Sequence, residues 1–172
     1  MRPYLVGIAG ATGLVGQRLV AAVAAHPWFR LEAVGASVRS SGKPYAEIVR
    51  WMLPGPVPPG ASELTVGGCA PSDFAGCDLV LSALDSGVAA DVEPKLAASG
   101  IAVVSNSSAL RMAADVPLLV PEVNGSHAVA ISGRAGGGFV VTNPNCSVTG
   151  LALALAPLDR AFGVRRVVVA TL

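Results

Sequence analysis

The sequence predicts an α/β fold, a doubly wound and mostly parallel sheet, from three observations. Its strand-like runs are short and apolar throughout, which suits strands covered on both faces. Longer segments of helical character separate these runs, in the β-α-β order that builds a parallel sheet. A glycine run, "GIAGATGLVG", joins the first strand to the first helix. With 172 residues, 52% of them hydrophobic, the chain is long enough for one globular domain with a real core.

Each element follows from its local pattern. "YLVGIA" (Tyr4–Ala9) reads as a buried strand and "LVGQRLVAAVAAH" (Leu14–His26) as a helix. "LEAVGAS" (Leu31–Ser37) is a second strand. The region Val38 to Gly60 is irregular, because the prolines of "LPGPVPPG" fix φ and remove backbone donors. "ELTVGG" (Glu63–Gly68) is a short strand, and "DLVLSAL" (Asp78–Leu84) a strongly apolar one. A helix is expected over Val88 to Ser99, with Pro94 kinking it or marking its effective start.

"IAVVS" (Ile101–Ser105) is the next strand, and a long polar connection leads to another at "FVVTN" (Phe139–Asn143). "SVTGLALALAPLDRAF" (Ser147–Phe162) reads as a helix, and "RRVVVATL" (Arg165–Leu172) as a final strand. Ending inside a strand, the chain is expected to be truncated. Residues 1–145 form the nucleotide-binding domain on this reading, and 146–172 open a second domain whose remainder is absent.

Composition narrows the function. A net charge of +1 gives no reason to expect nucleic acid or an anionic membrane as a partner. Three cysteines, an odd number, do not read as a disulfide framework, so a reducing, cytoplasmic setting is expected. Glycines interrupt the apolar N-terminus, and no convincing cleavage site closes it as a signal peptide. No apolar stretch reaches the ~18 residues of a membrane span. No metal site is expected.

The glycine turn carries the first chemistry. Gly10, Gly13 and Gly16 are spaced three apart, directly after a strand and leading into a helix. Glycine is needed where the turn is tight and a pyrophosphate approaches the backbone, and the helix start then offers free N–H groups. Glycines serving only helix–strand packing are the plainer alternative. An NAD site places an acid roughly 20 residues past the glycines to hold the ribose hydroxyls. Here "GASVRSSGK" has no acid, while Ser37, Arg39, Ser40 and Lys43 are suited to a 2′-phosphate. NADP is therefore the expected cofactor, against the reading of a solvated basic loop.

Cys146 follows a strand and "NPN" and precedes a long helix. A thiol in a first helical turn meets N–H groups and a dipole that favour the thiolate. Beside a nicotinamide cofactor this suggests attack on an aldehyde, hydride loss to NADP and a thioester left on sulfur. Buried packing is the plainer reading, since free cysteine is often core. Arg111, in "SNSSALRM" after the strand Ile101–Ser105, can hold an acyl phosphate or a phosphate co-substrate as a bidentate donor; without the cysteine, a solvent-facing loop arginine is the preferred reading.

"GATGLVGQ", "SNSSALRM", "DVPLLVPEVN" and "VTNPNCS", in this order and at these intervals, resemble aspartate-semialdehyde dehydrogenase. "RSSGK" and "NPNCS" look closest to its archaeal and fungal type, and the resemblance covers nearly the whole chain. It implies NADPH-dependent reduction of aspartyl-4-phosphate to aspartate semialdehyde, releasing inorganic phosphate, on the path to lysine, methionine and threonine. It also implies a small-molecule substrate and a homo-oligomeric intact protein.

By the same resemblance Cys146 is the acyl-thioester nucleophile, Asn145 helps orient the intermediate, and Arg111 is a substrate-phosphate ligand. Thr12, Gly13, Leu14 and Val15 match the cofactor turn, flanked by Gly10 and Gly16. Ser37, Arg39 and Ser40 match the 2′-phosphate loop, and Ser86 is a more peripheral cofactor candidate. Members are about twice this length, so the family's later glutamine, its basic substrate pocket and its histidine acid/base are missing here. Neither His26 nor His127 sits in a matching motif, and both read as structural or solvent-facing, as do Cys69 and Cys77. Dehydrogenase turnover is therefore not expected of this chain alone. An N-acetyl-glutamyl-phosphate reductase is a weaker fit, since its cysteine sits in "PGCY" and this one in "PNCS". A non-catalytic nucleotide-binding module is the alternative from another class.

Overall fold

The computed structural model describes residues 2–132 and 137–170. Six parallel strands form one sheet: β1 (Tyr4–Ala9), β2 (Phe29–Gly35), β3 (Val66–Gly67), β4 (Leu79–Ser82), β5 (Ala102–Ser105) and β6 (Phe139–Thr142). They lie in the order β3-β2-β1-β4-β5-β6, all pairs parallel. The chain thus winds outward from β1 to β3, then returns to β4 on the other side of β1. Between β1 and β4 the winding reverses, and a crevice opens there at the C-terminal strand ends.

Alternation along β1 explains the two layers. Val6 and Ile8 point to one face, where they meet Val20 and Val23 of α1 (Leu14–Ala24) together with Val34 and Tyr45. Ala9 belongs to the other face, with Phe74, Val80 and Val103 and with Leu96 of α4 (Ser86–Ala98). Both clusters are essentially solvent-free, and each such aliphatic side chain contributes roughly 1.5–3 kcal/mol by burial. Three one-turn helices, α2 (Tyr45–Ile48), α3 (Pro59–Ser62) and α5 (Pro121–Asn124), punctuate the connections. The long helix α6 (Cys146–Phe162) follows β6.

The expected strand Leu31–Ser37 lies two residues earlier. Its end is fixed by Gly35, whose carbonyl accepts the N–H groups of both Gly10 and Ala11. A register shift between Val6 and Gly7 passes over Glu32 in β2. Pro94 neither starts nor interrupts α4, which runs eight residues before it. It sits on the exposed side, where water can satisfy the carbonyl its ring leaves unpaired. The expected final strand is absent over its described part. Residues 165–170 are exposed and unpaired, and β-branched composition makes no strand without a neighbouring one. Its last two residues lie outside the described ones. No helix among the described residues is long and apolar enough to cross a membrane.

Candidate active site

The glycine turn is shaped by contacts that exclude side chains. Gly10 has φ +79°, and a Cβ there would lie 2.7 Å from the Ala83 carbonyl oxygen. At Gly16 a Cβ would sit 2.1 Å from the Gly10 oxygen and 2.8 Å from Ala11 Cα, so α1 approaches the turn as closely as backbone allows. Gly13 differs: a Cβ there would meet only the Gly10 oxygen, at 3.6 Å, an ordinary contact. The protein's own packing does not require glycine at position 13. A ligand close to that backbone would.

Gly13 is also the N-cap of α1, and no side chain caps this helix. Its first-turn N–H groups, from Leu14, Val15 and Gly16, therefore lack the side-chain acceptor that usually serves such a position. Leu14 and Val15 are exposed beside them. A groove of about 460 Å³ runs along this turn, lined by Gly10, Thr12, Gly13, Ser37 and Asp85 among others.

Two residues not singled out from the sequence hold the turn. Gln17 is fully buried and uses its whole amide: Nε2 donates to the carbonyls of Thr12 and Arg50, and Oε1 accepts from Met52 N–H. Buried Tyr45 donates its hydroxyl to the Ala11 carbonyl at 2.7 Å, and burial pushes its pKa up to about 12. Cys69 lines the same groove, buried and in the left-handed region at φ +72°. Burial raises its thiol pKa, against a lowering contact from the Gly10 amide.

The 2′-phosphate candidates lie just past β2. Ser37 precedes a 3-10 turn over Val38–Ser40, and the Ser40 amide donates back to the Ser37 carbonyl. Ser37, Arg39 and Lys43 are exposed, and neither cation pairs with an acid among the described residues. No acid occupies the stretch 36–43.

The loops after β4, β5 and β6 leave the same sheet edge and are stitched together. Asn106 N–H donates to Ser82 O, and Asn143 N–H donates to Ser105 O. The Asn143 carboxamide donates to Asn106 Oδ1 at 2.8 Å, and Ser86 and Ser108 share a 2.6 Å hydroxyl contact. Arg111 is half-buried and donates through Nη2 to the Asn106 carbonyl. Its buried Nε has no partner among the described residues. A guanidinium held on one side and unpaired with any described acid is suited to receive an anion.

α6 begins at Cys146, one residue before the expected start, because Asn145 is its N-cap. Asn145 Oδ1 accepts the Val148 N–H at 2.8 Å. Cys146 is exposed at the first helical position, while Cys69 is buried and Cys77 half-buried. Burial, with Glu32 and Asp78 nearby, raises the Cys77 pKa to about 11. His26 stacks on Phe29 at 4.1 Å, and His127 contacts Asn124, so neither faces the cysteine loop through a described hydrogen bond. The described residues contain no cluster suited to a metal ion.

Residues 5–131 match the family model described as semialdehyde dehydrogenase, NAD binding domain. Aspartate-semialdehyde dehydrogenases of Cryptococcus neoformans and Archaeoglobus fulgidus are 44% and 46% identical over 99% and 98% of this chain. The chain spans about half the length of these curated relatives, 49% and 50%. Among solved structures, the Candida albicans aspartate semialdehyde dehydrogenase with NADP superposes with a TM-score of 0.89. It is 38% identical, covering 94% of this chain and 48% of that one. The Vibrio cholerae aspartate semialdehyde dehydrogenase II complexed with ASA gives a TM-score of 0.74 at 27% identity, over 95% and 49% of the two chains. With its glycine turn, its winding and a match running across most of its length, the chain belongs to the semialdehyde dehydrogenase NAD-binding domain family.

Proposed function

We propose that the chain is the cofactor-binding part of an aspartate-semialdehyde dehydrogenase, specific for NADP and carrying the acyl nucleophile Cys146. The observation that carries the cofactor reading is the turn itself. Gly13 has room for a side chain that the protein does not use, at the start of an uncapped helix, on a groove that continues to Ser37.

On this reading the first-turn amides of α1 hold the pyrophosphate. Ser37, Arg39 and Ser40 hold the 2′-phosphate, where an acid would repel it. Ser86 lies at the rim. NADPH, when bound, supplies the hydride. Arg111 grips the phosphate of the acyl-phosphate substrate while the Cys146 sulfur attacks its carbonyl carbon. The C–O bond to phosphate breaks, inorganic phosphate leaves, and a thioester remains on the sulfur. Asn145 serves this step by fixing the helix start that presents the thiol.

The division into 1–145 and 146–172 belongs to the same proposal, with the nucleophile on the first residue of the second part. The acid/base group is assigned to the portion of the family's length that this chain does not span. A test of the nucleophile is pulse alkylation of the folded chain near neutral pH. Cys146 should react about tenfold faster or more than Cys69 and Cys77. Equal rates at the three thiols would contradict the assignment.

A further inference from the structure

A fully buried acid among the described residues lies outside the machinery described above. Glu93 is fully buried on the face of α4 that also presents Ala89 and Leu96 to the core. An acid at such a position is unfavourable unless its acceptors are used, and an apolar residue of equal volume would pack at lower cost. One oxygen is used: Glu93 Oε1 accepts the Ser105 hydroxyl at 2.7 Å. Glu93 Oε2 and the nearby strand residue Ser82 Oγ are buried without a partner. Ser82 and Ser105 stand opposite each other in the register of β4 and β5.

The bond to Glu93 fixes the direction of a chain of hydrogen bonds. Because the Ser105 hydroxyl donates to Glu93 Oε1, its lone pairs face the loop and accept Ser107 N–H at 3.0 Å. Ser107 Oγ in turn accepts Ala109 N–H at 3.3 Å. This folds residues 105–109 so that Asn106 offers its carbonyl to Arg111 and its Oδ1 to Asn143. Asn143 is followed by Pro144, Asn145 and Cys146. One buried carboxylate thus stands at the root of both the arginine loop and the cysteine loop.

We infer that Glu93 is a positioning residue: acting through Ser105 and Asn106, it sets Arg111 and the Asn143–Cys146 segment in one geometry. Its link to anion binding rests on the function proposed above, whereas the link to Asn143 stands on the hydrogen bonds alone. A buried side-chain hydrogen bond of this kind is worth enough to change an affinity about fivefold when lost.

The test is NMR of the 172-residue chain, reading the Asn143 carboxamide signals and the Arg111 Nε–H signal during titration with inorganic phosphate. Glu93→Met keeps the volume and removes the acceptors. Glu93→Gln keeps an acceptor for the Ser105 hydroxyl. In Glu93→Met the Asn143 signals should move and the phosphate midpoint should rise about fivefold. Glu93→Gln should restore both, and NADPH affinity should stay within about twofold throughout. If Glu93→Met does not fold, Ser105→Ala should move the same signals with Glu93 in place.

Unmoved Asn143 signals in a folded Glu93→Met protein, or in Ser105→Ala, would overturn the inference. So would an equal loss of phosphate and NADPH binding, which marks general loosening. A wild-type Arg111 signal insensitive to phosphate, with Asn143 still responding to Glu93→Met, would instead overturn the anion role of Arg111 and leave the positioning intact.

Discussion

The glycine turn and the cysteine helix stand at the same edge of the sheet, but they are held in different ways. The turn is clamped from the protein side: Gly35 binds two of its amides, Gln17 and Tyr45 bind two of its carbonyls, and Gly10 and Gly16 leave no space for side chains. The cysteine loop is tied through Asn143, and the helix it begins contains no buried residue. Leu153, Leu158 and Phe162 of α6 are 41%, 49% and 84% exposed, against 0% for Leu96 of α4. The cofactor side therefore draws its rigidity from the core. The Cys146 side depends on a cap, on a few loop bonds and on the Arg160 contacts to the Glu122 and Val123 carbonyls.

The sharpest way to break this contrast is to truncate both helices. Leu96→Ala should lower unfolding free energy by about 2–5 kcal/mol, whereas Phe162→Ala should stay within about 0.5 kcal/mol. Urea melts measure both, and equal losses would abolish the distinction.

Next come the glycines within one turn. Gly16→Ala forces a Cβ into the Gly10 carbonyl and should cost about 3 kcal/mol of stability with loss of cofactor binding. Gly13→Ala should melt within a few degrees of the parent and yet bind NADPH roughly tenfold more weakly, as calorimetric titration would register.

A smaller effect is expected at the 2′-phosphate. Arg39→Ala should weaken NADPH by several-fold and leave NADH unchanged, with a difference that shrinks as salt rises.

The smallest expected effect is at the opposite sheet edge. Asp78 accepts Leu5 N–H at 2.8 Å and pairs with Arg2, and these contacts, the amide first, lower its pKa. A depressed carboxylate contributes stability above its unfolded value, near 4, and loses it as pH falls through its folded value. The gap in melting temperature between the parent and Asp78→Asn should be full above about pH 5 and close in stronger acid.

What the sequence made legible depended on how local the cause was. Tyr4–Ala9 was readable to the residue because an unbroken apolar run ends in a glycine turn. The end of β2 was not, because a carbonyl shared with Gly10 and Ala11 sets it. Cys146 and Asn145 were readable as a pair, but the cap placed the cysteine inside the helix and gave Asn145 a definite bond. Gln17 and Glu93 were missed because a polar residue in a helical pattern reads as solvent-facing. Their partners, Arg50, Met52 and Ser105, are distant in sequence. The run "RRVVVATL" misled in the opposite direction, since β-propensity says nothing of whether a strand neighbour is present.

On the proposed function the chain holds a dinucleotide by itself, with the 2′-phosphate read by the Ser37–Lys43 loop. Parallel fluorescence titrations of the 172-residue chain with NADPH and NADH test it most directly. NADPH should bind saturably, about tenfold or more tighter than NADH, and binding should be abolished by Gly16→Ala. NADPH that fails to bind, or NADH that binds equally well, would contradict it.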